Sequence, residues 1–407
     1  MKRRLLKQIT NEWRENIWLV IELAVVFLVI WALVSLLYVE TKGLRLPRGF
    51  DPDNVYEIST KWVNTDSPHF EKSEDNGYFN DLGEVVGRIQ RNPNVESVTI
   101  TNSYPYNYNY SGYGLTLAEE PDTIVYMGNR RRGTVNYVDV FRLKSRTGAT
   151  SEQLKEMLRK GEILISDNSF YEESGGDVMR LKGKRVILNG DSTKVYRVGD
   201  IIEKIRRNDY EDSFGGTIVM ADEERNAWGN VLVRVKPGKG ALFEEDFNNH
   251  QELRKQRNVY LTDLRPMSDI REANQRSIDI QIRTEVVVML FLLMTIFLGL
   301  LGSFWFRMQQ RVSEIAIRKV FGARRRDIFG RVLTEGMILL SVSVALVSAC
   351  IWPFISTFEE MLAEKWYWLL MSECVAVVIV AVGIVISLWY PARRAMKIEP
   401  ADAIKAE

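Results

Sequence analysis

The chain of 407 residues is predicted to be an α-helical membrane protein with four transmembrane helices and a large mixed α/β domain between the first two. Two observations predict this class. Hydrophobic residues make up 46% of the chain and are concentrated in four blocks, each long enough for a helix that crosses a hydrocarbon core of roughly 30 Å. The polar section between the first two blocks contains segments with the periodicities of strands and helices, which is typical of a folded domain.

The four blocks are predicted to span residues 17–38, 285–306, 333–354 and 368–390. Each is predicted to be a helix, because an isolated strand would leave its backbone groups without hydrogen bonds in lipid. The first block is too long for a cleaved signal peptide and has no A-x-A-like site after it, so we expect a retained helix.

Residues 1–16 contain Leu5, Leu6, Ile9 and Trp13 at helical spacing among basic side chains. This pattern favours an amphipathic helix that lies on the inner membrane surface. The alternative is a charged flank that stops translocation.

Basic residues set the predicted orientation, because Lys and Arg are retained on the cytoplasmic side of a membrane. They are concentrated before the first block, in the 307–332 connection and in the tail at 391–407, whereas the 355–367 connection is acidic. Both termini and the 307–332 loop are therefore expected in the cytoplasm. Residues 39–284 and the short loop at 355–367 are expected outside.

The outer section is predicted to begin with a linker at 43–52, followed by a strand at 55–58, a helix that ends before Pro93, and a strand at 98–100. Further strands are predicted at residues 162–166, 185–188, 194–202, 217–220 and 231–235. Turn-forming Gly, Asn and Asp residues separate these strands.

Two more helices are predicted in the outer section. Thr150 and Gln153 fit a capping box for a helix that ends near Lys160, and another helix is expected over 242–255. We therefore expect a mixed α/β domain with two subdomains, the second richer in strand. The Tyr/Asn-rich segment at 104–110 is interpreted either as a loop that binds sugars, peptides or proteins, or as an ordinary surface loop.

The composition argues against several kinds of function. The net charge of +1 gives no general attraction for nucleic acid. Cys350 and Cys374 both fall in predicted membrane segments, so no disulfide is expected in the outer domain. His69 and His250 have no cysteine near them in the sequence, which argues against a structural zinc site, and no metal site is predicted.

No motif for nucleotide binding or catalysis is found. A P-loop has the form G-x-x-x-x-G-K-[ST], and the nearest sequences, at 183–185 and 238–240, lack its Ser or Thr and its earlier glycine. We also find no G-x-S-x-G and no H-E-x-x-H. The chain is therefore not expected to be an enzyme, and no catalytic or cofactor-binding residue is predicted.

Three glutamates, Glu22, Glu335 and Glu373, lie in or near the predicted membrane helices. Ionisable residues at such depth are candidates for function by default. Glu22 and Glu335 are near the inner ends of their helices, where pairing with nearby arginines is expected. Glu373 is in the outer third of its helix, within reach of the membrane interface.

The inner loop at 307–332 is the most informative segment. Ile315 and the pair Arg318 and Lys319 are one turn apart on a predicted helix, Gly322 marks a break, and Asp327 can begin the next helix. A rigid charged bend of this kind suits a cytoplasmic partner. A positive loop beside anionic lipid is an equally good interpretation from these residues alone.

The sequence from Arg311 to Phe329 closely resembles the R-x-x-E-I-x-I-R-K-x-x-G-A-x-x-x-D-I pattern of FtsX-like permease domains. The end of the chain resembles that family's P-A-R-R-A-x-x-x-x-P-x-x-A-L ending through Pro391, Ala392, Arg393, Arg394 and Pro400. The outer section is similar to a MacB-type periplasmic core at residues 137–141, 148, 162–166, 183–186 and 196–202.

This resemblance implies the permease subunit of a MacB/FtsX-type ABC transporter, in the inner membrane with its large domain in the periplasm. It implies that the inner loop docks on a cytoplasmic ATPase subunit, and that ATP and Mg²⁺ bind to that subunit. The coupling residues carried over from the motif are Glu314, Ile315, Arg318, Lys319, Gly322, Ala323 and Asp327. Further expected partners are a second permease copy or a paralogue, a periplasmic adaptor with an outer-membrane duct, and membrane lipid.

Two alternatives remain open at this point. The chain could be an FtsX-type signal transmitter that activates a cell-wall hydrolase, or an adaptor without an ATPase partner. The large outer section favours export or extraction of a substrate over signalling, and the inner-loop motif argues against the adaptor.

Overall fold

The computed structural model of the protein describes residues 13–72, 77–107, 112–168, 177–210, 216–221, 228–310, 315, 317, 320–362 and 367–395. The chain forms two compact units. The outer unit is Lys42–Asp279, and the membrane unit combines Met1–Thr41 with Ile280–Glu407. These bounds lie close to those predicted for the outer section, 39–284.

Eight α-helices and eleven strands are numbered here in chain order along the described residues. The helices are α1 Trp13–Thr41, α2 Gly77–Gln90, α3 Tyr137–Val140, α4 Ser151–Arg159, α5 Gly240–Asn249, α6 Met267–Gln310, α7 Arg325–Leu362 and α8 Tyr367–Ala395. The strands are β1 Val55–Trp62, β2 Val95–Thr101, β3 Gly112–Leu117, β4 Glu120–Gly133, β5 Ile163–Ser166, β6 Arg185–Leu188, β7 Val195–Ile202, β8 Gly216–Ala221, β9 Asn230–Val235, β10 Lys255–Gln256 and β11 Val259–Pro266.

Four helices, α1, α6, α7 and α8, are long and apolar enough to cross a membrane, as the hydropathy predicts. In the membrane unit α1 packs against α7 and α8, and α7 packs against α8. Leu23 and Phe27 of α1 are fully buried in this core with Ile384 and Leu388 of α8. Cys350 and Cys374 are free thiols.

Two of these helices are longer than their apolar blocks. The helix α6 begins at Met267, well before the predicted start at residue 285. The prediction placed the start too late because the first turns of α6 are polar and hydropathy does not detect them. The helix α7 continues through Pro353 to Leu362, into the segment predicted as a short outer loop at 355–367.

The outer unit is built on one eleven-stranded sheet with two parts. Strands β10, β11, β1, β9 and β2 form an open antiparallel part. Strands β4, β3, β6, β7, β5 and β8 follow in order, and parallel pairing of β8 with β4 closes them into a ring, called here the closed part. The two parts meet where Thr101 of β2 pairs with Gly133 of β4. The prediction of a mixed α/β outer section is thus confirmed, and its strands belong to one sheet within one compact unit.

The open part is covered by α2 and α5. Leu82, Val85 and Ile89 lie on one face of α2 at helical spacing and are fully buried against the sheet with Phe243 and Phe247 of α5. The predicted helix at 242–255 is wrong at its end. The helix stops at Asn249, a short 3₁₀ turn follows, and Lys255 and Gln256 pair with β11 instead. The Asn-Asn-His sequence at that point has low helix propensity, which favours an early end.

The closed part has its own core, in which Leu115, Tyr126 and Val198 are fully buried. A Cβ atom at Gly216 would overlap the hydroxyl of Tyr126, so a glycine is required where β8 begins. The capping box predicted at Thr150 and Gln153 is present at the start of α4, which ends at Arg159. The strands predicted in this section are found, whereas β3 and β4 were not predicted.

The Tyr/Asn-rich segment forms a turn over residues 104–107, the part that the structure describes, but it is buried, so its interpretation as an ordinary surface loop is wrong there. Tyr104 and Tyr106 are buried in the core of the outer unit. Their hydroxyls donate hydrogen bonds to the buried carboxylates of Glu57 and Asp209. Amphipathic rings that satisfy buried acids are structural here, and residues 108–110 are outside the described part.

Candidate functional site

The inner loop between α6 and α7 contains the motif residues that were predicted to contact a partner. Glu314, Arg318 and Lys319 lie outside the residues that the structure describes. Ile315, Ile317 and Val320 have helical backbone, and the chain then turns at Phe321 and Gly322 before α7 begins.

Gly322 adopts the left-handed conformation, with φ of +86°, which L-residues with a side chain disfavour. The amide of Phe321 donates a 3.1 Å hydrogen bond to the carbonyl of Ile317, which completes the helical turn before the break. A glycine in the left-handed conformation at this position is a common way to end a helix. The predicted break at Gly322 therefore agrees with the backbone geometry.

Asp327 caps the start of α7, as its position in the sequence predicts. Its Oδ2 accepts a 3.0 Å hydrogen bond from the amide of Arg324, and its own amide donates 3.0 Å to the carbonyl of Arg324. The carboxylate also lies in the first turn of α7, where negative charge is favourable. Gly322 and Asp327 together fix the direction in which the loop leaves the bundle.

A small apolar cluster supports the loop from inside. Met308 of α6, Ile315 and Ile328 of α7 are buried together, and Ala323 and Phe329 pack against them. The structure thus brings two of the predicted coupling residues, Ile315 and Ala323, to the inside of the bend. They hold the loop on α6 and α7.

The outer surface of the bend carries three exposed apolar residues that sequence reasoning did not single out. Ile317 is 50%, Val320 64% and Phe321 86% exposed, and we call this group the Phe321 patch. Apolar residues set among the charges of a positive loop were the signal that could have identified it. Exposed clusters of large apolar side chains commonly mark a binding surface.

The intramembrane glutamates have partners within the bundle. Glu22 of α1 accepts hydrogen bonds from the hydroxyl of Ser303 on α6, at 3.1 and 2.9 Å to its two oxygens. The partner found for Glu22 among the described residues is thus a serine, where the sequence suggested an arginine. Glu335 is buried in α7.

Glu373 of α8 is hydrogen-bonded to α7. Its oxygens accept hydrogen bonds from the hydroxyl of Ser348 and from Nε1 of Trp352, the latter at 3.1 Å. On the other side of α8, Ser372 accepts a 3.0 Å hydrogen bond from Nε1 of Trp31 of α1. Bonds of this kind hold membrane helices together where hydrophobic burial gives little preference.

The C-terminal motif lies at the end of α8. Residues Pro391, Ala392, Arg393 and Arg394 belong to the last helical turns, which end at Ala395. Pro400 is outside the described residues, so the structure gives no contact for this motif.

A buried acid in the outer unit, Asp209, was missed by sequence reasoning. It is 3% exposed and lies in the loop between β7 and β8. Its carboxylate accepts hydrogen bonds from Tyr106 Oη at 2.9 Å, Arg48 Nε at 2.8 Å and Arg271 Nε at 2.6 Å. Arg48 is in the segment that follows α1, and Arg271 is in the first turns of α6.

Burial alone would raise the pKa of Asp209. The hydrogen bond from Tyr106 and the charges of Arg48 and Arg271 outweigh that effect, so the pKa lies below its ordinary value. Asp209 is therefore an anion at neutral pH that joins three separate segments of the outer unit.

The structure combines four helices that are long and apolar enough to cross a membrane with one large mixed α/β unit. Residues 286–400 match the family model described as FtsX-like permease C-terminal. This match confirms the resemblance to FtsX-like permeases that the motifs of the segment indicate. No curated protein gives a match.

Several solved structures are similar to part of the chain, and two of them are described here. The periplasmic region of MacB from Actinobacillus actinomycetemcomitans shares 14% identity over 57% of this chain and 97% of that one, with a TM-score of 0.33. The extracellular domain of the noncanonic ABC-type transporter YknZ from Gram-positive bacteria shares 12% identity over 51% of this chain and 100% of that one, with a TM-score of 0.29. Both TM-scores are below 0.5, so the similarity to a known family depends on the match over residues 286–400.

Proposed function

We propose that the chain is the permease subunit of an ABC transporter of the MacB/FtsX type, and that the Phe321 patch is where a separate ATPase subunit docks. The observation that carries this proposal is the exposure of Ile317, Val320 and Phe321 on the inner loop, inside the segment that matches the FtsX-like family. The basic flanks favour a cytoplasmic position for this loop. A phenylalanine that is 86% exposed there is well suited to the pocket of a protein partner.

The local structure suits the patch to transmit force. The Gly322 turn and the Asp327 cap fix the bend, and the cluster around Ile315 and Ile328 attaches it to α6 and α7. A displacement of the patch is therefore passed to both helices. Glu314, Arg318 and Lys319 lie in the same loop and would supply charged contacts beside the apolar ones.

The partner would bind ATP and Mg²⁺, since no phosphate-binding loop occurs in this sequence. Hydrolysis would move the inner loop, and the chain would carry the motion outward along α1 and α6. In the outer unit, Arg48 after α1 and Arg271 in α6 both bind Asp209. Motion of either segment would then reach the loop between β7 and β8 and change the shape of the outer domain. This action suits export or extraction of a substrate outside the membrane.

A second permease copy or a paralogue would complete the complex, and in a cell with two membranes a periplasmic adaptor and an outer-membrane duct would receive the substrate. The partner that is captured with the chain would show which cellular process it serves. A captured adaptor would indicate efflux, whereas a captured cell-wall hydrolase would indicate the signalling alternative.

The test is affinity capture of the full chain from its own membranes in mild detergent under nucleotide-trapping conditions. The native chain is compared with Phe321→Ala and with the control Phe291→Ala, whose side chain is 68% exposed in the apolar part of α6. We expect a P-loop ATPase with the native chain and with the control. Its yield should fall about tenfold or more with Phe321→Ala, as for an interface hot spot. If the native chain captures no ATPase, the proposal is wrong.

A further inference from the structure

The closed part of the outer sheet contains a cleft of about 370 Å³. It is formed by β3, β4, β8 and the hairpin that joins β6 to β7. The residues that line it and matter here are Tyr113, Arg130, Arg132, Asp191, Lys194 and Tyr196. The transport cycle proposed above assigns them no role. A cleft of this size is at the small end of known ligand sites, which span roughly 300–1,000 Å³.

The cleft carries more positive than negative charge. Three cations, Arg130, Arg132 and Lys194, line it with one carboxylate, Asp191. That carboxylate accepts hydrogen bonds from the amide and hydroxyl of Thr193, which lower its pKa. Among the described residues, no carboxylate forms an ion pair with Arg130 or Lys194.

Arg130 is held in place by an aromatic ring. Its guanidinium carbon lies 4.0 Å from the centre of the Tyr113 ring. Stacking of this kind uses the flat face of the guanidinium and leaves the N–H groups at its edge for hydrogen bonds. A planar carboxylate or a phosphate matches that edge in a two-bond arrangement.

The opposite wall is fixed by the hairpin between β6 and β7. Asn189 and Gly190 both adopt left-handed conformations, with φ of +47° and +72°, which forms a tight turn. The backbone amide of Asn189 donates a 2.8 Å hydrogen bond to the carbonyl of Gly114, and the side-chain oxygen of Asn189 accepts a 2.8 Å hydrogen bond from the backbone amide of Gly114. The hairpin is thus tied to β3, so Lys194 and Tyr196 hold a fixed position across the cleft.

We propose that this cleft binds an acidic saccharide, with its carboxylate or phosphate on Arg130 and Lys194 and the apolar C–H face of its sugar ring against Tyr196. Cations provide the affinity for the anion. The half-buried tyrosine ring provides a flat apolar surface at low entropic cost, which a free inorganic anion could not use. The ligand can be a free sugar or the end of a larger acidic glycan, since both present the same group.

The test is calorimetric titration of the full chain in nanodiscs of neutral lipid at low salt. Glucuronic acid and glucose 6-phosphate are compared with glucose and inorganic phosphate. We expect both acidic sugars to bind at least about tenfold more tightly than glucose, because the charged hydrogen bonds are absent in glucose. Both should also bind more tightly than inorganic phosphate. Added salt should weaken their binding, because the cations are near the surface.

Variants assign the binding to this cleft. Arg130→Gln and Lys194→Gln should each weaken glucuronic acid binding by about tenfold, and Tyr196→Leu should weaken it for both acidic sugars. Lys184→Gln, an exposed cation of the closed part that does not line the cleft, should leave binding unchanged. Lys194 is exposed, so its variant is expected to fold even if Arg130→Gln does not.

The proposal is overturned if glucose binds as well as glucuronic acid or if Lys194→Gln binds like the native chain. It is also overturned if inorganic phosphate binds as tightly as glucose 6-phosphate, because the tyrosine would then contribute nothing. The titration uses this chain without an ATPase, so its outcome is independent of the proposed permease function.

Discussion

The phenol hydroxyl of Tyr106 donates a 2.9 Å hydrogen bond to the carboxylate of Asp209, and both residues are almost completely buried, at 1% and 3% exposure. Asn274 of α6 donates a further 2.8 Å bond to the carbonyl of Tyr106. The segment that follows α1, the tyrosine segment, the loop after β7 and the first turns of α6 thus meet at one anion. We propose that motion of α1 and α6 enters the outer domain through this cluster around Asp209.

Replacing Asp209 should destabilise the outer unit. Asp209→Asn leaves Arg48 and Arg271 without their shared anion, and we expect a loss of about 2 kcal/mol, less than for a fully buried pair because both arginines are partly exposed. This corresponds to a fall in melting temperature of about 5 °C for a domain of this size. The matched control, Asp122→Asn at an exposed position of β4, should melt like the native chain. Equal melting temperatures of Asp209→Asn and the native chain would contradict a stabilising role for Asp209 between these segments.

The same variant tests the charge of Asp209. Because the pKa of Asp209 is lowered in the folded protein, its contribution is complete above the unfolded value of about 3.9 and is lost as the pH falls through the folded value. The difference in melting temperature between the native chain and Asp209→Asn should therefore be constant near neutral pH and shrink below about pH 4. A difference that does not change on acidification would show that the charge contributes nothing.

Gly322→Ala should loosen the inner loop. Alanine in the left-handed conformation costs about 1 kcal/mol, which would speed amide hydrogen exchange around residues 320–330 roughly fivefold. Gly330→Ala is the matched control, since Gly330 lies inside α7 in open space and alanine is the better helix former. Hydrogen exchange followed by mass spectrometry separates the two. If both variants exchange alike, the turn does not depend on Gly322.

The bond between Glu373 and Trp352 should contribute to the contact of α8 with α7. A double-mutant cycle with Glu373→Ala and Trp352→Phe is expected to give a coupling energy of about 0.6 kcal/mol, and at most about 1.7 kcal/mol, from unfolding in detergent. A control cycle pairs Glu373→Ala with Trp18→Phe, whose ring is exposed near the start of α1. That pair should be additive within about 0.5 kcal/mol. Additivity in both cycles would show that the bond does not stabilise the bundle.

Much of the architecture could be predicted because it is encoded locally. Apolar runs identified the four candidate membrane helices, the helical pattern before Pro93 identified α2, and Thr150 with Gln153 identified the start of α4. The turn at Gly322 and the cap at Asp327 were predicted for the same reason, since each depends on neighbours within a few residues.

The features that were missed depend on residues far apart in the chain. Strand β4 contains Arg130, Arg131 and Arg132, and this polar run pairs in parallel with the distant strand β8. Tyr106 looked like part of a surface loop because its partner, Asp209, is about a hundred positions further along the chain. The exposure of Phe321 likewise follows from the turn beside it, which decides that Ile315 points inward and Phe321 outward.

The most direct test of the account is a photo-crosslink from the inner loop in living cells. A photoreactive phenylalanine analogue is placed at position 321, or at 291 as the control, and the irradiated products are identified by mass spectrometry. We predict that the chain labelled at 321 is joined to a subunit that contains a P-loop, and that the yield changes with the nucleotide state, whereas position 291 gives no such product. If position 321 yields no ATPase adduct while the chain is present in the membrane at its normal level, the Phe321 patch is not the coupling site and the permease function proposed here is contradicted.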